Sequence, residues 1–123
     1  MKINWRGTRH SDVQALPFTF KKQTIMETFK DIIANEPLVL VDFYATWCQP
    51  CKMMHPVLEQ LKKDLDDKIR SLKLDVDKNQ PLAEQYRVQS VPTLILFNRG
   101  NNVWRQSGAV PLQALKNIIG PYC

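Results

Sequence analysis

The chain has 123 residues, of which 44% are hydrophobic and 24% charged, and this composition is typical of one soluble domain with a real core. The net charge of +5 is spread without a run of five basic residues, which argues against nucleic-acid binding. No apolar run approaches membrane-spanning length, and residues 1–7 lack the apolar stretch of a signal peptide. We therefore expect no membrane contact and a cytoplasmic location, with a periplasmic one as the alternative if a signal sequence was removed.

The first predicted elements follow a polar stretch. Residues 1–16 are polar and weakly patterned, which predicts a weakly ordered extension ahead of one domain over residues 17–123. Phe18–Phe20 alternates and is typical of a short first strand. Apolar residues at helical spacing predict a helix from Gln23 to about Asn35. The near-continuous apolar run Leu38–Tyr44 predicts a strand in the middle of a covered sheet.

The second half of the chain alternates between the same two kinds of element. The predicted helices and strands, in order, are Cys48–Leu65 with a kink at Pro56, Ile69–Val76, Pro81–Tyr86, Thr93–Phe97, Val103–Gln106 and Pro111–Ile119. A hairpin turn over residues 98–102 joins the last two strands. The order β-α-β-α-β-α-β-β-α predicts an α/β fold, a central mixed sheet of about five strands flanked by about four helices.

Two thiols, Cys48 and Cys51, stand a C-x-x-C apart at the start of a predicted helix. A helix that begins at Cys48 points its free N–H groups and positive dipole end at that sulfur. This favours the thiolate, which is the form that attacks a disulfide. Cys51, one turn further on, lies on the same face and can close a ring with the first thiol. The pair therefore predicts a reversible dithiol/disulfide couple.

A zinc site is the other chemistry that this segment allows. Cys48, Cys51 and His55 form C-x-x-C-x-x-x-H, but zinc takes four ligands, and His10 or Cys123 would have to supply the fourth. We expect no metal, and we expect His55 to be an exposed helix residue. Cys123 is expected to be a mobile, exposed thiol, with intermolecular pairing as its alternative role.

The ordered set of motifs resembles the thioredoxin family over roughly Phe18 to Ile119. The segments that carry the resemblance are the active-site segment Val41–Lys52, Pro56 in the second helix, Lys73–Asp77 in the third strand, Val91–Thr93 in the cis-proline loop, and the two glycines Gly100 and Gly108. The chain departs from the family at Gln49, where glycine is usual, and in its N-terminal extension.

The resemblance implies a thioredoxin fold and a protein-disulfide reductase with Cys48 as nucleophile and Cys51 as resolving thiol. Asp42 is an acid inside an apolar strand, either a partly exposed strand end or, as in the family, a group under the resolving cysteine that handles its proton. Desolvation would then raise its pKa toward neutrality. Lys73 either faces solvent or, as the resemblance implies, reaches toward Asp42 and moderates that rise.

The resemblance also implies a docking surface and partners. The docking residues would be Trp47, Gln49, Pro50, Val91, Pro92 and Gly108. The Val91 backbone would pair with an extended substrate strand, beside a cis bond at Pro92, and Gly108 would allow close approach.

The implied partners of this monomer are protein disulfides and thioredoxin reductase or an equivalent reductant. No cofactor is needed. The alternatives are an extracytoplasmic oxidase, isomerase or pathway reductase of the same fold, or a non-catalytic binding subunit.

Overall fold

The computed structural model describes residue 2 and residues 28–123. Helix α1 is described over residues 28–35. The elements that follow are β1 (Leu38–Tyr44), α2 (Gln49–Leu65), β2 (Arg70–Asp75), α3 (Gln80–Gln85), β3 (Thr93–Asn98), β4 (Asn101–Ser107) and α4 (Leu112–Ile119). Short 3-10 turns follow α2 at Asp66–Lys68 and α4 at Gly120–Tyr122. Within this described part, no helix is both long and apolar enough to cross a membrane.

The sheet has the strand order β2-β1-β3-β4. Strand β1 runs parallel to β2 and antiparallel to β3, and β3 pairs antiparallel with β4. The α/β alternation is confirmed, but the described residues form four strands rather than about five. The predicted strand at Phe18–Phe20 lies outside the described residues. The boundary between an extension (1–16) and a domain (17–123) stays a prediction for the same reason.

Strand β1 lies between β2 and β3 in the sheet, and both of its faces are covered. Its residues alternate between two buried clusters, with Val39, Val41 and Phe43 in one and Leu38 and Leu40 in the other. Complete burial of such side chains stabilises the fold by about 1.5–3 kcal/mol each. The near-continuous apolar run in the sequence is thus the signature of a strand with helices on both sides.

The two clusters are completed by different helices. Phe29 of α1 meets Phe97 of β3 edge to face, with ring centroids 5.9 Å apart. On the other face, α2 and α4 pack together around Leu61 and Leu115, both fully buried. An ion pair between Lys116 Nζ and Asp64 Oδ2, at 2.5 Å, joins the same two helices at the surface. Helices therefore cover both faces of the sheet.

The loop between α3 and β3 is anchored at both ends. The Arg105 guanidinium, on the edge strand β4, donates to the backbone carbonyl oxygens of Tyr86 and Arg87, which lie beyond the last turn of α3. At the other end, Thr93 Oγ1 donates to the Ser90 carbonyl oxygen at 2.7 Å. These bonds give the loop carbonyls side-chain donors, and they hold the loop against the start of β3.

Candidate active site

The two thiols form a disulfide at the N-terminus of α2. Cys48 is the N-cap of the helix, and its Sγ accepts a hydrogen bond from the Cys51 backbone N–H, with 3.1 Å between N and S. A sulfur at this position receives both an N–H donor and the positive end of the helix dipole, and both favour a thiolate after reduction. The predicted redox couple is therefore assembled as the spacing indicated.

Asp42 lies on β1 and is buried, with 2% of its surface exposed. Among the residues that the structure describes, neither of its carboxylate oxygens has a hydrogen-bond partner. Burial raises the pKa of this carboxyl from 3.8 to about 6, and the positive charge of Lys73 opposes that rise. An acid with a pKa near neutrality can both accept and release a proton at physiological pH.

Lys73 is paired with Asp42 in the register of the parallel strands β1 and β2. Its side chain is exposed and makes no hydrogen bond to the carboxylate. Its charge nevertheless lowers the pKa of Asp42. Lys73 therefore acts on the acid through its charge without a hydrogen bond, and its reach toward Asp42 stays a prediction.

A cavity of about 350 Å³ opens beside Asp42, between β1, β2 and α2. Its polar lining includes Glu59, Lys62, Ser71 and Lys73. A space of this size with several polar partners can hold water molecules. The otherwise unpartnered carboxyl therefore borders a space through which its proton can be exchanged.

His55 is half-buried, so the expectation of an exposed helix residue was wrong. Its ring meets Tyr44 edge to face, with centroids 5.8 Å apart. Burial, together with the charge of Lys73, lowers the pKa of His55. In the described residues 28–123, no three His, Cys, Asp or Glu side chains lie close enough to hold a metal ion.

The expected docking residues are the chain neighbours of the disulfide, the Val91–Pro92 loop and Gly108. Trp47 is 45% exposed, Gln49 is exposed and Pro50 is half-buried. The Val91–Pro92 peptide bond is cis, and Val91 belongs to the buried cluster that contains both cysteines. The Gly108 N–H donates to the Pro92 carbonyl oxygen at 2.8 Å. Gly108 has a φ of +98° and open space where a Cβ would stand, so a partner could approach there.

Sequence reasoning missed Asp77, which lies just after β2. The Trp47 indole Nε1 donates to Asp77 Oδ2 at 3.0 Å, while the Asp77 backbone N–H donates to Asp75 Oδ1 at 2.9 Å. This arrangement fixes the orientation of the exposed tryptophan. No pattern in the sequence links two residues so far apart. The parallel pairing of β1 and β2 brings the ends of these strands, and with them Trp47 and Asp77, together.

Comparison with known proteins agrees with this geometry. The thioredoxin family model matches residues 20–120. The thioredoxin of Bacillus subtilis is 43% identical over 88 residues, which cover 72% of this chain and 85% of that protein. A thioredoxin-like protein of Synechocystis is 49% identical over 89 residues, covering 72% and 83% respectively.

Solved structures give the same answer for the fold. Oxidised mitochondrial thioredoxin 3 of Saccharomyces cerevisiae superposes with a TM-score of 0.72 at 36% identity, over 78% of this chain and 89% of that one. A mutant thioredoxin of Halobacterium salinarum gives 0.71 at 42% identity, over 76% and 81%. The predicted fold class is confirmed. With its Cys48–Cys51 disulfide, the chain belongs to the thioredoxin family of thiol–disulfide oxidoreductases.

Proposed function

We propose that Cys48 is the attacking thiol and Cys51 the resolving thiol of this protein-disulfide reductase. The reductase activity follows from family membership together with the disulfide at the start of α2. The hydrogen bond from the Cys51 N–H to Cys48 Sγ is the single observation that carries the division of roles. It places the first sulfur, not the second, where the helix favours a thiolate.

The reaction transfers two electrons in two exchanges. The Cys48 thiolate attacks one sulfur of a target disulfide, forms a mixed disulfide and releases the other target sulfur as a thiolate. Cys51 then loses its proton and attacks Cys48 Sγ. The Cys48–Cys51 disulfide forms, and the second target sulfur leaves. An upstream dithiol returns the two electrons, so the cysteine pair itself is the redox group and no bound cofactor is needed.

Asp42 is the proposed acceptor of the Cys51 proton, directly or through water in the neighbouring cavity. Its burial without a partner and its pKa of about 6 support this role. At pH 7 the carboxyl is mostly ionised and can take a proton, whereas a carboxyl with an ordinary pKa would hold it less well. Lys73 tunes this acid by keeping the pKa of Asp42 from rising further.

Protein disulfides are the proposed substrates, and thioredoxin reductase or an equivalent dithiol enzyme is the proposed reductant. Trp47, Gln49 and Pro50 offer a surface around the disulfide, and the Val91–Pro92 loop offers a backbone to an extended chain. The open space at Gly108 supports close approach from that side. We propose that the protein is a monomer and that it works in the cytoplasm.

Single-cysteine variants test the division of roles. Cys123 is free and exposed, so both variants should carry Cys123→Ser to prevent adducts at that thiol. With insulin as the disulfide substrate, Cys51→Ser should accumulate a covalent mixed disulfide, because nothing resolves it. Cys48→Ser should form none and show no turnover. Mass spectrometry of the unreduced products distinguishes them, and an adduct on the Cys48→Ser variant would reverse the assignment.

A further inference from the structure

Hydroxyl groups join the Val91–Pro92 loop to the edge strand β4. The pairing of β3 with β4 places Thr93 directly opposite Ser107, and their hydroxyl oxygens lie 3.1 Å apart. The Thr93 hydroxyl also donates to the Ser90 carbonyl oxygen at 2.7 Å. Because a hydroxyl has only one proton to donate, Thr93 must accept at its contact with Ser107. The three residues therefore form one chain of hydrogen bonds that starts at the Ser107 hydroxyl and ends at the Ser90 carbonyl.

This hydroxyl chain encloses the proposed docking loop. Ser90 immediately precedes Val91–Pro92, and Thr93 immediately follows it. Ser107 immediately precedes Gly108, whose N–H donates to the Pro92 carbonyl oxygen at 2.8 Å. The loop is thus tied to the end of β4 by a backbone hydrogen bond and by a side-chain connection that depends on the Ser107 hydroxyl.

The two hydroxyl groups differ in burial. Thr93 is 0% exposed, whereas Ser107 is exposed. If the Ser107 hydroxyl is removed, Thr93 keeps its bond to the Ser90 carbonyl oxygen, so no buried donor loses its partner. A change at Ser107 therefore removes the side-chain link between the loop and β4 and leaves the packing of the core in place.

We propose that Ser107 is a positioning residue for protein substrates, because its hydroxyl, acting through Thr93, holds the Val91–Pro92 loop where an extended chain can pair with it. The proposal rests on the proposed function, since it assumes that substrates dock on this loop. The exchange steps at Cys48 and Cys51 do not use the Ser107 hydroxyl. Its contribution is therefore confined to substrates that dock, and small disulfides do not depend on it.

The size of the effect follows from the fraction of molecules in which the loop is in place. The apparent affinity for a docking substrate falls in proportion to that fraction. A loop that is in place about half of the time would thus double the KM and leave kcat unchanged.

Ser107→Val and Ser107→Thr form a matched pair for the test. Both introduce side chains branched at Cβ, which suit a strand, and only Ser107→Thr keeps the hydroxyl. The parent and both variants should carry Cys123→Ser, because Cys123 is a free, exposed thiol. With insulin as substrate and dithiothreitol as regenerating thiol, Ser107→Val should raise the KM at least about twofold with kcat unchanged. Ser107→Thr should keep the KM of the parent.

A small disulfide separates docking from thiol chemistry. The three proteins, reduced beforehand, should reduce dithiobisnitrobenzoate at the same rate. Equal insulin KM values for Ser107→Val and Ser107→Thr would overturn the proposal. So would a loss of rate with the small disulfide as large as the change seen with insulin, because Ser107 would then act on the thiols or on the fold as a whole.

Amide hydrogen exchange gives a readout that does not depend on activity. The Gly108 amide, which donates to Pro92, should exchange at least about twice as fast in Ser107→Val as in the parent and in Ser107→Thr. Equal exchange in all three proteins would also overturn the proposal, since the loop would then be held equally well without the hydroxyl. A failure of the proposed function would look different, because all three proteins would leave insulin unreduced while Gly108 exchange still differed.

Discussion

Replacing Asp42 with Asn should make the protein more stable at neutral and higher pH. The pKa of Asp42 is raised from 3.8 to about 6 because the carboxylate is buried without a partner. At about 1.4 kcal/mol per pKa unit, ionising it in the folded state costs about 3 kcal/mol. Since the folded pKa is raised, the parent is unpenalised below pH 3.8, loses stability as the pH rises to about 6, and carries the full cost above that value. Asn has nearly the same shape and never ionises.

Urea titrations of the oxidised proteins at two pH values measure this cost. At about pH 8 the Asp42→Asn midpoint should exceed that of the parent by about 1–3 M, given m-values of about 1–3 kcal/mol/M. At about pH 3.5 the two midpoints should nearly coincide. Asp67→Asn, at an exposed position, is the control and should leave both midpoints unchanged. The reasoning is refuted if the Asp42→Asn difference is the same at both pH values, or if the parent is the more stable protein at about pH 8.

Three further substitutions test neighbouring features of the site. Lys73→Met removes the charge that lowers the pKa of Asp42. In the same urea titrations, the variant should therefore lose stability over a pH range that reaches higher than that of the parent. Gln49→Gly should change the reduction potential measured against glutathione, where about 30 mV corresponds to about 1.4 kcal/mol. A shift below about 10 mV on that scale would make Gln49 a bystander. Asp77→Ala frees the Trp47 indole and should raise the KM for insulin about two- to fivefold, the equivalent of about 0.5–1 kcal/mol for a lost exposed hydrogen bond. An unchanged KM would show that the orientation of Trp47 does not affect substrate docking.

The buried elements could be predicted from the sequence almost to the residue. Strand β1 was predicted over Leu38–Tyr44 and occupies that range, because a strand covered on both faces must be apolar throughout. Strand β4 was predicted over Val103–Gln106 but runs Asn101–Ser107. It lies at the sheet edge with mostly exposed side chains, so backbone pairing defines its ends and leaves no hydrophobic pattern to read.

At the site, the sequence predicted the reactive cysteines but not the contacts of the side chains around them. The C-x-x-C spacing was sufficient for the disulfide at Cys48 and Cys51. The burial of His55 against Tyr44 was missed, because the helical periodicity of α2 does not show what the end of β1 places next to it. The Trp47–Asp77 bond was missed for the same reason. Contacts between elements depend on strand order, which local patterns do not contain.

Arg105 extends the mutational sensitivity of this protein well beyond its cysteines. Its guanidinium joins the edge strand to the carbonyls of Tyr86 and Arg87, just upstream of the residues that precede Pro92. A lysine there would keep the positive charge but could not span both oxygens with one planar group. In a screen of random variants, we therefore expect substitutions of Arg105 to weaken substrate docking. Which substitutions are tolerated at this exposed position thus depends on the loop that Arg105 holds and not on solvent exposure.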